Sequence, residues 1–132
     1  MIYVDSSVVL ARLFAEGRSP EAAFWEQPLA GSRLVEYEVW NRVNARGLGG
    51  SHGEAARALL GRLAVLEMTR PVLERSLESF PAPVRTLDAL HLASLHFLRE
   101  RDPGARLATY DLRLASAAVK MGFSLYFSST SQ

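Results

Sequence analysis

The order of apolar runs and turns predicts an α/β fold built on a parallel sheet. Short runs of β-forming residues, such as Ile2–Val4, alternate with longer stretches whose apolar residues recur at helical spacing. Strands separated by helices favour parallel pairing, because the helix carries the chain back across the sheet. The first run is apolar at successive positions, which is typical of a central strand with both faces buried.

The composition is that of a globular domain. The chain has 132 residues, 48% hydrophobic and 22% charged, so we expect one domain over residues 1–132, with the polar residues 128–132 as a frayed tail. The absence of cysteine excludes disulfides and thiolate metal sites. Neither a membrane-spanning run nor a basic, apolar leader is evident, so a cytoplasmic location is expected. The net charge of +1 gives no general attraction to nucleic acid.

Turn signals and apolar periodicity predict the following elements. A helix begins after the first strand, and a short helix near residue 20 has Ser19 as its cap and Pro20 at its first position. Residues 47–53 form a glycine-rich turn, and Gly122 ends the last helix. The remaining expected elements are a very short strand near 28–31, helices over 33–46, 54–63, 72–79, 87–101 and 112–121, and strands over 64–69, 106–110 and 123–127.

Acidic residues follow strands or open helices at several of these positions. Asp5 comes directly after the first strand, and Asp111 stands between a later strand and its helix. Asp88 lies in the first turn of the longest helix, and Glu36 and Glu38 lie early in another. Because the carboxyl ends of parallel strands meet at one edge of the sheet, we expect these side chains to gather there. Each residue taken singly is equally compatible with a helix cap or a favourable helix-dipole contact.

A group of carboxylates at one edge of a small sheet points to metal chemistry. Like charges brought together require cations or raised pKa values. Carboxylate oxygens are hard ligands that suit Mg²⁺ or Mn²⁺, whereas zinc would favour a histidine cluster that this sequence lacks. A divalent ion so held lowers the pKa of bound water and neutralises a phosphoryl oxygen. The pattern therefore indicates metal-assisted hydrolysis of phosphodiester bonds.

The acidic residues lie within four short motifs that span nearly the whole chain. The motifs are Val4-Asp5-Ser6-Ser7, Ser32-Arg33-Leu34-Val35-Glu36-Tyr37-Glu38-Val39, Leu87-Asp88-Ala89-Leu90-His91-Leu92-Ala93 and Thr109-Tyr110-Asp111-Leu112-Arg113-Leu114. They resemble the motifs of the PIN-domain family, specifically the VapC-type toxin ribonucleases, and occur in that family's order.

This resemblance implies a three-layer α/β/α sandwich with a central, mainly parallel sheet and a Mg²⁺- or Mn²⁺-dependent endoribonuclease activity. It also implies a homodimer and a cognate antitoxin that inserts into the site. Carried over by motif, Asp5 and Asp88 hold the principal ion and Asp111 and Glu38 complete its surroundings. Ser6 and Thr109 are the implied supporting polar groups near the metal, and Arg113 is a weaker candidate for contact with phosphate.

Some alternatives stay open at this point. Glu36 and Glu38 point roughly 200° apart around their helix, so only one can face the metal, and the motif spacing favours Glu38. His91 is interpreted as a packed, hydrogen-bonded histidine and not as a metal ligand. One or two ions are both compatible with the sequence.

Two other functions compete with the nuclease. An aspartyl phosphatase would use Asp5 as its nucleophile, but such enzymes carry a second Asp where this chain has Ser7. A catalytically silent PIN-like scaffold would bind RNA or protein without cutting, although it would have little use for four carboxylates at one edge.

Overall fold

The central feature of the fold is a five-stranded sheet. The structure is a computed structural model that describes residues 1–127. In that part of the chain the strand order is β3-β2-β1-β4-β5 and every pairing is parallel, which confirms the predicted sheet. The strands are β1 (Ile2–Val4), β2 (Leu29–Ser32), β3 (Leu63–Leu66), β4 (Arg106–Ala108) and β5 (Ser124–Leu125).

Helices cover both faces of this sheet and produce three layers. Ile2 and Val4 belong to one hydrophobic core, whereas Tyr3, between them, belongs to the other. The central strand is thus buried on both faces, as its unbroken apolar sequence predicts. The helices are α1 (Ser6–Leu13), α2 (Arg33–Ala45), α3 (Gly49–Leu60), α4 (Arg70–Ser76), α5 (Thr86–Arg101) and α6 (Leu112–Lys120), and Ala22–Glu26 forms a 3₁₀ helix.

Two helix ends have the capping residues that the sequence predicts. The hydroxyl oxygen of Ser32 accepts a hydrogen bond from the backbone nitrogen of Leu34 at 3.0 Å and so caps α2. Gly122 follows α6 with a φ of +85°, a conformation that glycine adopts without strain.

The prediction for the glycine-rich segment is wrong, because helix α3 begins at Gly49 inside it. Tertiary packing explains the difference. Gly53 and Ala56 on α3 are buried, and Gly53 lies beside the ring of Trp40 on α2. Glycine is a poor helix former, but burial of this face of α3 outweighs the local preference. Only the part around Gly47, with φ +67°, remains a turn.

Two smaller expectations also need correction. The helix predicted from Pro20 is a 3₁₀ helix that starts at Ala22, with Glu21 and not Ser19 at its capping position. Strand β1 has the predicted bounds, but β3, β4 and β5 are shorter than predicted. The short strand expected near residues 28–31 is the fully buried β2. The expected frayed tail, 128–132, lies outside the described residues. Within residues 1–127, no helix is long and apolar enough to cross a membrane.

Candidate metal site at the carboxyl edge of the sheet

Asp5 lies where β1 leaves the sheet, and its side chain is almost fully buried, with 4% exposed. It occupies the position before α1, yet its carboxylate makes no capping hydrogen bond to that helix. Instead Oδ1 accepts from the Ser7 hydroxyl at 2.6 Å and Oδ2 accepts from the Thr109 hydroxyl at 2.9 Å. The structure therefore argues against the interpretation of Asp5 as a simple helix cap.

Backbone contacts hold both of these hydroxyl groups in place. Ser7 Oγ accepts from the backbone nitrogen of Tyr110 at 2.9 Å, and Thr109 Oγ1 accepts from that of Asp111 at 2.9 Å. A hydroxyl has one proton to donate, and here each donates it to Asp5. The chain that leaves β4 thus fixes the orientation of the carboxylate that leaves β1.

Burial makes the ionised form of Asp5 costly. Loss of solvent raises the pKa of its carboxyl from 3.8 to about 6, although the hydrogen bonds from Ser7 and Thr109 and the charge of His91 act in the opposite direction. The negative charge of Glu38 raises the pKa further. A cation beside Asp5 would relieve this cost.

Glu38 belongs to a second buried arrangement, which joins three elements of the fold. Glu38 on α2 has its Oε1 at 2.8 Å from Nε2 of His91 on α5. The other ring nitrogen of His91, Nδ1, lies 2.8 Å from the hydroxyl of Tyr3 on β1. His91 is buried and hydrogen-bonded at both nitrogens, which confirms its interpretation as a packed histidine.

Glu36 points elsewhere. Its Oε1 accepts from Arg33 Nη1 at 3.2 Å, and the same guanidinium binds Glu67, which follows β3. The side chain of Glu36 is 45% exposed, whereas that of Glu38 is 19% exposed. Of the two glutamates, Glu38 is the one directed towards the buried polar groups.

Asp88 is buried one turn before His91, and its Oδ2 accepts from the backbone nitrogen of Arg85 at 3.4 Å. The charges of Glu38, Asp5 and Asp88 all act on His91. Burial lowers the pKa of this imidazole, but the hydrogen bond that it donates to Glu38 and the three negative charges outweigh that effect, so the pKa is raised overall. Asp5, Glu38 and Asp88 therefore share one electrostatic environment.

Asp111 differs from these three because it is an exposed N-cap residue, whereas Asp88 makes its capping contact from a buried position. The Oδ1 atom of Asp111 accepts from the backbone nitrogens of Arg113 at 2.9 Å and Leu114 at 3.2 Å. The capping alternative is thus correct for Asp111, and a metal would have to use its second oxygen. Arg113 is exposed at the start of α6, and Ser6 opens α1 half-buried.

The carboxylates are not packed as a closed metal cage. Among residues 1–127, no three His, Asp or Glu side chains lie close enough together to hold an ion. Mg²⁺ commonly keeps several waters and binds through one or two carboxylates, so a shell partly made of water fits this arrangement. The candidate metal ligands are carboxylate oxygens and the chain has no cysteine, which also suits a hard divalent ion.

The roles of two residues of the site were not predicted from the sequence. Ser7, and not the expected Ser6, donates to Asp5, because the second residue of α1 is the one that reaches the carboxylate. Tyr3 looks like an ordinary core residue of β1, and only its contact with His91, 88 positions away, reveals a polar role. The repeated serines after Asp5 were the available signal for Ser7, whereas nothing in the sequence marks Tyr3.

Comparison with known proteins identifies the family. The family model described as PIN domain matches residues 2–120. The chain belongs to the PIN-domain family. Among curated relatives of this PIN domain, "Ribonuclease VapC47" from Mycobacterium tuberculosis (strain CDC 1551 / Oshkosh) is 35% identical, with 93% of each chain covered. "Ribonuclease VapC46" from M. tuberculosis (strain ATCC 25618 / H37Rv) is 33% identical over 94% of this chain and 95% of the relative.

Solved structures of low sequence identity share the fold. A toxin-antitoxin complex from Klebsiella pneumoniae aligns with a TM-score of 0.66 at 18% identity, covering 91% of this PIN domain and 94% of that chain. The crystal structure of PAE2754 from Pyrobaculum aerophilum aligns with a TM-score of 0.59 at 20% identity, covering 94% and 88%. These alignments confirm the three-layer α/β/α architecture.

The raised pKa of Asp5 predicts how an Asp5→Asn variant of this PIN domain behaves without metal. The folded state binds the Asp5 proton more tightly than the unfolded chain, so the stability that Asp5 contributes is fully present below about pH 4 and is lost as pH rises through about 6. Asn carries no charge but has only one acceptor oxygen, so the free energy of unfolding of Asp5→Asn relative to wild type should be about 1–3 kcal/mol higher at pH 7.5 than at pH 4. Urea denaturation in chelator at pH 7.5 and pH 4 measures this.

Asp111→Asn is the matched control, because Asp111 is exposed and Asn caps helices about as well as Asp. At pH 4 the wild-type carboxyl is already protonated, so its charge no longer contributes to the difference between the two proteins. If the difference in the free energy of unfolding between Asp5→Asn and wild type is the same at pH 7.5 and pH 4, then burial does not destabilise the Asp5 charge.

Proposed function

We propose that this PIN domain is a metal-dependent endoribonuclease that hydrolyses RNA phosphodiester bonds, and that it is the toxin of a VapBC-type toxin–antitoxin pair. The observation that supports this best is Asp5, a buried carboxylate held by two hydroxyls and not used as a cap. Relatives at 35% and 33% identity are named VapC ribonucleases.

The four carboxylates would divide the metal-binding work. Asp5 and Asp88 would hold Mg²⁺ or Mn²⁺, and Glu38 and Asp111 would complete its surroundings directly or through water. When bound, the ion neutralises charge on the phosphoryl oxygen and lowers the pKa of water. Ser7 and Thr109 keep both oxygens of Asp5 in a fixed orientation.

Two other side chains would act on the substrate side of the site. One oxygen of Glu38 accepts from His91, which leaves its second oxygen to orient the attacking water or accept its proton. Arg113 is exposed beside Asp111, where its guanidinium would contact a phosphate of the RNA.

The proposal extends to partners and location. A cognate antitoxin would cover the site, a homodimer would form, and the protein would act in the cytoplasm. The structural neighbour from K. pneumoniae is a toxin-antitoxin complex. Large apolar side chains, including Leu77, Leu112 and Tyr37, are exposed on this protein and would suit protein contacts. Light scattering at micromolar concentration would detect the dimer, and a monomer there would remove this part of the proposal.

The geometry of Asp5 argues against the two competing functions. Both carboxylate oxygens accept short hydrogen bonds and the side chain is almost completely buried, so Asp5 is poorly placed to attack a phosphate ester as an aspartyl phosphatase would. A silent scaffold would keep the cost of a buried charge with no ion to offset it.

Chelation should abolish the activity. Purified protein should cleave single-stranded RNA with Mg²⁺ or Mn²⁺, lose cleavage in excess chelator, recover it when metal is restored, and leave a simple phosphate monoester intact. Asp5→Asn, purified identically, controls for contaminating nuclease. Cleavage in chelator by wild type but not by Asp5→Asn would contradict the metal mechanism. RNA binding without cleavage in metal would support the scaffold.

Glu38 and Glu36 form a matched pair of variants two residues apart on α2. Glu38→Gln keeps an oxygen that can accept from His91 but removes the negative charge, so cleavage should fall by roughly 10²-fold. Glu36→Gln alters an exposed ion pair with Arg33 and should leave most of the activity. Initial rates on one labelled RNA, with melting temperatures for both variants, measure the difference. A larger loss of cleavage rate in Glu36→Gln than in Glu38→Gln would show that Glu36, and not Glu38, belongs to the site.

A further inference from the structure

We propose that Tyr3 and His91 form a buried positioning pair that fixes the carboxylate of Glu38 for metal binding and catalysis. The pair is defined by two contacts of 2.8 Å, from the Tyr3 hydroxyl to His91 Nδ1 and from His91 Nε2 to Glu38 Oε1. The inference rests on the proposed function of Glu38 and assigns Tyr3 and His91 a task that neither sequence motif nor family membership specifies.

The directions of the hydrogen bonds follow from the chemistry of the three groups. An ionised carboxylate only accepts, so Nε2 of His91 must carry the proton that it shares with Glu38. Above the raised pKa of His91 the imidazole is neutral and has a single N–H, so Nδ1 is then an acceptor and the Tyr3 hydroxyl donates to it. Burial raises the pKa of Tyr3, which keeps this proton on the phenol. Tyr3 therefore selects the imidazole tautomer that can donate to Glu38.

The position of Tyr3 makes it a rigid anchor. Its side chain is fully buried on the central strand, and its ring packs edge-on against His91 with centroids 5.9 Å apart and planes at 83°. Side chains two residues apart on a strand point to the same face, so Tyr3 and Asp5 leave β1 in similar directions. The same strand would then position two carboxylates, Asp5 through its own backbone and Glu38 through His91.

Of the three hydrogen-bonded residues, Glu38 is the one whose side chain must be held in place by its partners. Its side chain is partly exposed at the rim, and a glutamate has three rotatable side-chain bonds whose freedom must be lost for it to act in one geometry. A donor that is itself held at its other nitrogen restricts the carboxylate at little further entropic cost.

Tyr3→Phe tests the pair, because it removes one hydroxyl and keeps the ring. Without the donor, His91 can adopt the Nδ1–H tautomer, which has no proton for Glu38. We expect Mn²⁺ affinity and kcat for RNA cleavage each to fall by roughly tenfold, with KM changed less than about twofold. In a Glu38→Gln background, Tyr3→Phe should cause no further loss of kcat or Mn²⁺ affinity, because its effect acts through that carboxylate.

A spectroscopic readout separates positioning from stability. The ¹⁵N shifts of the imidazoles, assigned among the three histidines with a His91→Gln variant, report which nitrogen carries the proton. At a pH above the titration of His91, Nε2 of His91 should be protonated and Nδ1 unprotonated in wild type, and Tyr3→Phe should shift the population towards Nδ1–H. This measurement on the wild type keeps the proposal testable even if Tyr3→Phe does not fold.

The outcomes distinguish this inference from the proposed function. Loss of stability in Tyr3→Phe with unchanged tautomer, Mn²⁺ affinity and kcat would overturn the pair, as would an unprotonated Nε2 in wild type. If wild type does not cleave RNA, but Tyr3→Phe still shifts the tautomer and weakens Mn²⁺ binding, the pair is supported while the nuclease proposal fails.

Discussion

The buried charge of Asp5 is the constraint on which the site depends. Parallel pairing of β1 with β4 sets Val4 beside Ala108, so the next residues, Asp5 and Thr109, emerge side by side. The hydroxyls of Thr109 and Ser7 donate to the carboxylate, yet the pKa of Asp5 remains raised because hydrogen bonds only partly replace lost water. The protein thus holds a carboxylate that gains stability from a cation, at the edge where parallel sheets place ligands.

Asp5 and Asp111 show what the sequence could and could not predict. Both follow a strand and precede a helix, and sequence alone gave each the same two interpretations. In the structure Asp111 caps α6, while Asp5 leaves α1 uncapped and accepts from side chains. Whether the carboxylate caps a helix or accepts from side chains depends on which hydroxyls a neighbouring strand brings near. That strand pairing joins residues about a hundred positions apart, so neither motif predicts it. Local signals with local causes, such as the Ser32 cap and the Gly122 stop, were predictable.

The remaining differences also have long-range causes. The glycines of α3 predict a turn because their helix propensity is poor, and the helix forms because its buried face, with Gly53 and Ala56, packs against the rest of the fold. The choice between Glu36 and Glu38 was open because both faces of α2 contain apolar residues. The structure favours Glu38, because His91 on α5, 53 positions later, lies beside it. Sequence periodicity describes each element, but contacts between elements decide which side chains form the site.

Metal binding by Asp5 itself is the most direct test of this account. Calorimetric titration of Mn²⁺ into wild type, Asp5→Asn and Asp111→Asn at pH 7.5 compares a buried, uncapped carboxylate with an exposed capping one. The account predicts that Asp5→Asn weakens Mn²⁺ binding by at least about tenfold, equivalent to about 1.4 kcal/mol, and that Asp111→Asn weakens it less. Equal Mn²⁺ affinity in wild type and Asp5→Asn, with both proteins folded, would contradict it.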